Sequence, residues 1–140
     1  MRYAPGVPSG EDADDPAAQA EARAAAVRRA QNADATVAVV GEPPDKETPG
    51  DTTTAALRAG QAELLDALEA TGKPVVIVVI AGRPLIMNQQ LDGAAAALMG
   101  YLPGTQGGRG VADALFGQVN PSGPAVRHVA EEHRPGPVHV

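Results

Sequence analysis

The sequence predicts an α/β fold in which a mostly parallel sheet lies between helices on both faces. Two observations lead to this prediction. Short segments that are continuously apolar and β-branched are typical of strands buried on both sides. They alternate along the chain with Ala- and Leu-rich segments of helical spacing, which indicates a three-layer α/β sandwich. The 140 residues fit one domain of ordinary size.

The first helix is predicted from its ends as well as from its interior. Residues 1–13 are rich in Pro, Gly and Asp and indicate a loop, with one short strand expected around Arg2 to Ala4. Asp15 is a suitable N-cap, and Pro16 suits the first helical position. Alanines then supply helix propensity as far as Asn32, which can end the helix.

Two strands and a second helix follow. Thr36 to Val40 is an apolar, β-branched run that predicts a buried strand ending at Gly41. Residues 42–54 are polar and proline-rich, which indicates a loop. Apolar residues repeat at helical spacing from Leu57 to Leu68, with Gln61 among them. Val75 to Ile80 is the strongest strand signal in the chain.

The last third of the chain is less sharply patterned. Residues 94–102 fit a helix or a strand equally well, because they combine an alanine run with larger apolar residues. Pro103 and Gly104 end that segment, and a helix is expected from about Arg109 to Phe116. Pro124 to Val140 contains no clear element.

Composition excludes several classes of function. The formal net charge of −6 argues against a nucleic-acid surface, which needs clustered Lys and Arg. No stretch reaches the length of a membrane span, and no hydrophobic signal core begins the chain, so the compartment stays open. The absence of cysteine excludes disulfides. The apolar residues are largely Ala and Val, which predicts a thin core and modest stability.

The loop after the first predicted strand is the best candidate for chemistry. Function in an open parallel sheet gathers beyond the carboxyl ends of the strands. This loop holds four carboxylates within ten residues, and mutual repulsion can raise the pKa of one of them to the range that a general acid needs. A solvated acidic loop is the more common interpretation of such a composition alone. The carboxylates are Glu42, Asp45, Glu47 and Asp51.

Three other patterns are weaker. Gly104 to Gly110 precedes a helix, as an anion site would, but it lacks phosphate-loop spacing and predicts a structural turn. The histidines lie five and six residues apart in the tail, whereas helical metal ligands need steps of four, so we expect no metal site and no cofactor. Ser122 has no acid–base partner nearby in sequence. The histidines are His128, His133 and His139.

Several motifs, taken in order, resemble the C-terminal α/β sandwich domain of glycoside hydrolase family 3. Each is weak alone, but the ordered set is specific and covers roughly residues 3–123. The motifs are Gly41-Glu42-Pro43-Pro44-Asp45-Lys46-Glu47-Thr48-Pro49-Gly50-Asp51, then Gly72-Lys73-Pro74-Val75-Val76 with Ala81-Gly82-Arg83-Pro84, then Tyr101-Leu102-Pro103-Gly104-Thr105-Gln106-Gly107-Gly108, and finally Val111 to Gly117 and Val119 to Gly123.

The resemblance implies a retaining, exo-acting β-glycosidase of the β-glucosidase or glucan glucohydrolase type. It makes Glu47 the acid/base, with Glu42 as second choice, and Asp51 a residue that meets substrate or orients the loop. The implied substrate is a β-linked gluco-oligosaccharide or glucoside. The implied partner is a (β/α)₈ barrel that supplies an Asp nucleophile. Without that barrel, the isolated chain is expected to be inactive.

The chain departs from the family pattern at both ends. The family's first strand and final segment are missing, so residues 1–123 are expected to be a partial domain with exposed apolar surface and a tendency to self-associate. Residues 124–140 do not continue the pattern and are predicted to be irregular. Reading Val126 to Val140 one base later, with permitted GC-rich codons, yields a Trp-Pro-bearing segment like the family's. We therefore hypothesise a frameshift, which an intact reading frame around the Gly123 codon in the gene would exclude.

Two main interpretations stay open from sequence. In the first, the chain is the acid/base domain of a glycosidase. In the second, it is a non-catalytic α/β module that binds a partner domain or a carbohydrate. A flavodoxin-like or nucleotide-binding domain is a third possibility, but the chain has no phosphate loop.

Overall fold

A three-stranded parallel sheet in the order β1-β2-β3 forms the centre of the molecule. The computed structural model describes residues 1–7, 15–42 and 55–123. The strands are β1 (Thr36–Gly41), β2 (Val75–Ile80) and β3 (Ala96–Met99). Each residue of β1 pairs in register with β2, from Thr36 with Val75 to Gly41 with Ile80. The predicted α/β fold with a parallel sheet is confirmed.

Within the described residues, four helices accompany the sheet, and the ends of the first follow its local chemistry. The helices are α1 (Pro16–Gln31), α2 (Ala59–Glu69), α3 (Asn88–Gly93) and α4 (Gly107–Leu115). The predicted caps of α1 are confirmed: the Asp15 side chain accepts a hydrogen bond from the Ala17 amide at 2.9 Å, and Asn32 is the C-cap. A short 3₁₀ turn, Gly104–Gln106, leads into α4. None of the helices in the described ranges is long and apolar enough to cross a membrane.

The core lies between one face of the sheet and helices α1 and α2. Ala38 and Val40 of β1 and the odd-numbered residues of β2 point into it, where they meet apolar side chains of α1 and α2. Small alanines on α1 let that helix approach closely, whereas leucines on α2 fill the remaining space. The buried residues of α1 and α2 are Ala26, Ala30, Leu64, Leu65 and Leu68.

The opposite face of the sheet is only partly covered. Val37 and Val39 of β1 are 47% and 64% exposed. A Cβ on Gly100 would lie 2.6 Å from Ile80 Cδ1 and 4.0 Å from Val111 Cγ2, so Val111 of α4 lies near the carboxyl end of β2. The apolar exposure expected from sequence is therefore present on β1.

Three elements differ from the sequence prediction. Arg2 to Ala4 form no strand; the carbonyl of Tyr3 instead accepts a hydrogen bond from Arg29 Nη1 at 2.9 Å, so a helix side chain takes the place of a strand partner. Helix α4 begins two residues earlier than Arg109 and ends at Leu115. Helix α3 was not predicted, because its six residues carry no helical apolar repeat and no side-chain cap.

The ambiguous segment at residues 94–102 contains a strand. Ala96–Met99 pairs in parallel with Val76–Val79 of β2. Alanine favours helices, but hydrogen bonds to β2 decide the outcome here: the Ala95 amide donates to Val75 O at 2.8 Å and the Gly100 amide to Val79 O at 2.7 Å. Tertiary pairing thus overrides local propensity.

Candidate active site at the carboxyl edge of the sheet

The carboxyl ends of the three strands lie along one edge of the sheet, where active sites of open parallel sheets are found. Gly41 and Glu42 end β1, the segment 81–87 connects β2 to α3, and residues 100–106 follow β3. The candidate loop leaves this edge directly after Glu42 and returns at Ala55. Its two ends are therefore the parts of the candidate site that the structure describes.

Gly41 is held tightly from two sides. Its φ is +156°, and a Cβ at this position would lie 1.8 Å from the carbonyl oxygen of Ile80, so no other residue fits without movement. On the other side, the side-chain amide of Gln61 makes two hydrogen bonds to Gly41. Oε1 accepts from the Gly41 amide and Nε2 donates to the Gly41 carbonyl, both at 3.0 Å.

Glu42 is held by β2 and by the segment that follows it. Its amide donates to the Ile80 carbonyl at 3.0 Å. Its carboxylate accepts two hydrogen bonds from Arg83, from Nε to Oε2 at 3.0 Å and from Nη2 to Oε1 at 2.7 Å. The Glu42 side chain is only 14% exposed. A bidentate, partly buried pair of this kind is directional and stronger than an exposed ion pair.

The returning end of the loop contacts the same connecting segment. The Ile86 amide donates to the Ala55 carbonyl at 2.7 Å, and Ala56 forms an isolated parallel bridge with Ile86. The next residue, Leu57, is buried in the core together with Leu85 and Met87. The segment 81–87 therefore contacts both ends of the loop.

The predicted site residues divide into two groups. Glu42 lies at the carboxyl edge, as expected for the start of the loop. Glu47 and Asp51 lie outside the described residues, as do Asp45 and the three histidines. Ser122 is exposed. Within the described ranges, no three His, Cys, Asp or Glu residues are grouped as a metal site would require.

The glycine-rich segment before α4 forms a turn. Gly104 has a φ of +64°, and the 3₁₀ turn that it begins continues into α4. A Cβ on Gly107 would lie 2.5 Å from Pro103 Cγ, so a glycine there allows the chain to fold back closely. These glycines have a structural reason, in agreement with the turn expected from sequence.

Gln61 and Arg83 were not predicted as site residues, although each carries a signal. Gln61 occupies a position in the apolar repeat of α2, where a polar side chain requires a hydrogen-bond partner. Arg83 is the first charged residue after a strand of six apolar residues. Neither signal identifies the partner, because Gln61 is 20 residues from Gly41 in sequence and Arg83 is 41 residues from Glu42. These residues come together only when β1 and β2 pair and α2 packs beside them.

Comparison with known families identifies the domain. Residues 8–133 match the family described as the glycosyl hydrolase family 3 C-terminal domain. The chain belongs to glycosyl hydrolase family 3. The match covers most of the chain, and it includes the loop after β1.

Similar proteins include named glycosidases. The chain is 46% identical over 99 residues to a lysosomal beta glucosidase of Dictyostelium discoideum, a match that covers 70% of this chain and 12% of that protein. It is 43% identical over 99 residues to a periplasmic beta-glucosidase of Salmonella typhimurium, covering 70% of this chain and 13% of the relative. The family 3 chain thus spans only a small part of the length of these relatives.

Solved beta-glucosidase structures share the fold. The beta-glucosidase of Listeria innocua in complex with gluconolactone superposes with a TM-score of 0.70 at 33% identity, covering 84% of this chain and 15% of that one. The family 3 beta-glucosidase of Bifidobacterium adolescentis gives 0.70 at 34% identity, covering 84% and 17%. The Listeria enzyme has also been crystallised with glucose.

Proposed function

We propose that this chain supplies the acid/base carboxylate of a retaining, exo-acting β-glycosidase that cleaves terminal β-glucosidic bonds. The observation that carries the proposal is the position of the loop: it leaves and re-enters the carboxyl edge of a family 3 sheet, with both ends held by the segment 81–87. That edge is where an open α/β sheet places reacting groups. Relatives named beta-glucosidase favour a β-glucoside or gluco-oligosaccharide as substrate.

Glu47 is the proposed acid/base. It protonates the leaving oxygen while an Asp from a (β/α)₈ barrel attacks the anomeric carbon, and then removes a proton from the water that releases the sugar. Retention requires the two carboxyl groups to be about 5–5.5 Å apart, so Glu47 must reach across a domain interface. Asp51 is proposed to meet substrate or to orient the loop.

Glu42 remains the second choice, but its surroundings favour Glu47. Both oxygens of the Glu42 carboxylate accept hydrogen bonds from Arg83. A general acid has to present a proton to the substrate oxygen and take one back from water. Glu42 would have to break its bidentate contact with Arg83 to do so, whereas its present arrangement suits an anchor for the loop.

The proposal is tested in the chain alone and in a chimera. In the chimera, residues 1–123 replace the matching segment of the Salmonella periplasmic enzyme. We expect no hydrolysis of 4-nitrophenyl β-glucoside by the isolated chain and clear hydrolysis by the chimera. Glu47→Ala should lower kcat/KM of the chimera on an alkyl β-glucoside by about 10²–10⁴-fold. Azide should partly restore kcat on 2,4-dinitrophenyl β-glucoside, because it replaces the water that releases the sugar and needs no general base. Asp45→Asn, in the same loop, is the matched control and should change kcat/KM little.

Three results would contradict the proposal. They are turnover by the isolated chain, unchanged kcat/KM in the Glu47→Ala chimera, and a chimera that folds by circular dichroism yet does not hydrolyse the substrate. Full activity of the Glu47→Ala chimera would instead support the alternative of a non-catalytic module that binds a partner domain or a carbohydrate.

A further inference from the structure

Gln61 completes the open edge of β1 at its last residue. β1 is an outer strand of the described sheet, so the outward-facing amide and carbonyl of Gly41 meet no neighbouring strand there. The Gln61 side chain takes that place with its paired hydrogen bonds at 3.0 Å. The Gln61 amide presents its carbonyl oxygen and one N–H of its NH₂ group on the same side, so it can accept from the Gly41 amide and donate to the Gly41 carbonyl as a neighbouring strand would.

Arg83 holds the next residue from the opposite side. Gly41 faces α2, whereas the Glu42 amide and carboxylate face β2 and the segment after it. Two consecutive residues are thus held in opposite directions immediately before the chain enters the loop. Such alternation fixes both the position and the direction of the backbone, because a rotation that keeps one contact breaks the other.

The connecting segment 81–87 also holds the far end of the loop. Arg83 contacts Glu42, and Ile86, three residues later, contacts Ala55 and Ala56. Leu85 lies between these contacts and is 1% exposed, so the segment is anchored in the core. Both ends of the loop are therefore held by the same segment, residues 81–87, which is packed into the core.

We propose that Gln61 and Arg83 are positioning residues, which fix the direction in which the acid/base loop leaves β1. The inference rests on the proposed function of Glu47, since it concerns the placement of that carboxylate. Neither side chain is proposed to touch substrate. Proton transfer depends steeply on geometry, and a displacement of about 1 Å can cost on the order of 100-fold in rate.

If the ion pair of Arg83 and the hydrogen bonds of Gln61 served only stability, removing them would lower activity by reducing the amount of folded protein. The two roles differ in how the loss depends on the leaving group. A misplaced acid slows cleavage of a glucoside whose leaving group needs protonation, and has little effect when the leaving group departs as a stable anion. Loss of folded protein lowers both rates equally.

The decisive experiment measures kcat/KM of the chimera with methyl β-glucoside and with 2,4-dinitrophenyl β-glucoside. Arg83→Met and Gln61→Leu should each lower kcat/KM for the methyl glucoside by about 10- to 100-fold and that for the dinitrophenyl glucoside by less than about threefold. Arg83→Lys, which keeps the charge but not the fork, should fall between wild type and Arg83→Met. Arg23→Met, which removes an ion pair to Glu63 remote from the loop, is the matched control and should change neither value.

Glu47→Ala in the same chimera separates this inference from the proposed function. If Glu47→Ala shows the leaving-group dependence and Arg83→Met and Gln61→Leu lower both substrates equally or not at all, the positioning role is wrong while the acid/base assignment stands. If Glu47→Ala itself shows no such dependence, the proposed function fails.

Hydrogen exchange in the 140-residue chain provides a readout that needs no activity. We expect the Gly41 amide to exchange roughly tenfold faster in Gln61→Leu, because its only described acceptor is removed, while the amides of Ile77 and Val78 keep their protection. Should Gln61→Leu fail to fold, Arg83→Lys is measured at the Glu42 amide instead, with an expected increase in exchange. Protection within twofold of wild type in the variant measured would overturn the proposal.

Discussion

At the scale of single residues, Gly41 shows how closely the start of the loop is confined. Its Cα lies against the Ile80 carbonyl on one side, and its backbone amide and carbonyl bind Gln61 on the other. Glycine is needed here for space as well as for its backbone angle. The motif Gly41-Glu42 thus has a physical explanation. Gly41 permits the close approach to the Ile80 carbonyl, and Glu42 supplies the carboxylate that binds Arg83.

Gly41→Ala is expected to destabilise the chain by about 2–4 kcal/mol, because the new methyl group would force β1 away from β2. Urea denaturation followed by circular dichroism measures this change. Gly110→Ala, inside α4 with no atom within 4 Å of the new methyl group, is the matched control. It should stabilise by about 1 kcal/mol. Equal effects of the two substitutions would show that the contact with Ile80 is not restrictive.

At the scale of elements, the contact between α2 and α3 contains an electrostatic cost. The Glu69 carboxylate lies against Gly93, where a Cβ would be 2.2 Å from Oε2, and its Oε1 is buried without a hydrogen-bond partner among the described residues. Burial raises the pKa of Glu69 above its ordinary value of 4.5, and the nearby Asp66 carboxylate raises it further. Asp66 itself accepts a hydrogen bond from Gln90 of α3 at 3.0 Å.

Because the pKa of Glu69 is higher in the folded chain, its contribution to stability is fully present below pH 4.5 and is lost as the pH rises through the raised value. Glu69→Gln removes the charge and should stabilise the chain at pH 7.5 relative to wild type. That advantage should shrink at pH 4.5. Denaturation in urea at both pH values measures the difference. Glu21→Gln, an exposed acid on α1, is the control, and a pH-independent gain in Glu69→Gln would contradict the assignment.

The helices also differ in how far residues within their own sequence, rather than tertiary contacts, stabilise them. Helix α1 has its N-cap, first-turn proline and C-terminal asparagine within its own sequence, and all three were predicted. Helix α3 has none of these and depends on contacts with α2 and the core, through Gln90 and Leu91. A short helix that is stabilised by tertiary packing leaves little trace in sequence.

At the scale of the whole molecule, the uncovered face of β1 is the main liability. Val37 and Val39 are exposed on β1, which is an outer strand of the described sheet. Among the described residues, Gln61 hydrogen-bonds to the free edge of this strand at Gly41. Exposed apolar strands at a sheet edge favour association with other chains. The matched region makes up 12% to 17% of the length of the family relatives.

We expect the chain to self-associate through this face. Val37→Thr combined with Val39→Thr keeps β-branched side chains but lowers their hydrophobicity, and it should reduce the average mass measured by light scattering. Val119→Thr is the control, since Val119 is 56% exposed but lies after α4. A wild-type chain that is already a clean monomer would contradict the expectation.

Some predictions concern residues that the structure does not describe. The roles of Glu47 and Asp51, the boundary at Gly123 and the frameshift origin of residues 124–140 stay predictions. Glu42 is the only carboxylate of the candidate loop within the described residues, and its contacts with Arg83 could not be inferred from the motif alone.

The sequence by itself determined the strands β1 and β2, the helices α1 and α2, and the family, because each depends on local patterns or on ordered motifs. Tertiary structure decided that residues 96–99 are a strand, that α3 exists, and that Gln61 and Arg83 hold Gly41 and Glu42. The physical reason is the same in each case. Parallel strands pair only through a long crossover, so the partners at the carboxyl edge are separated by 20 to 41 residues and meet only once β1 and β2 are side by side.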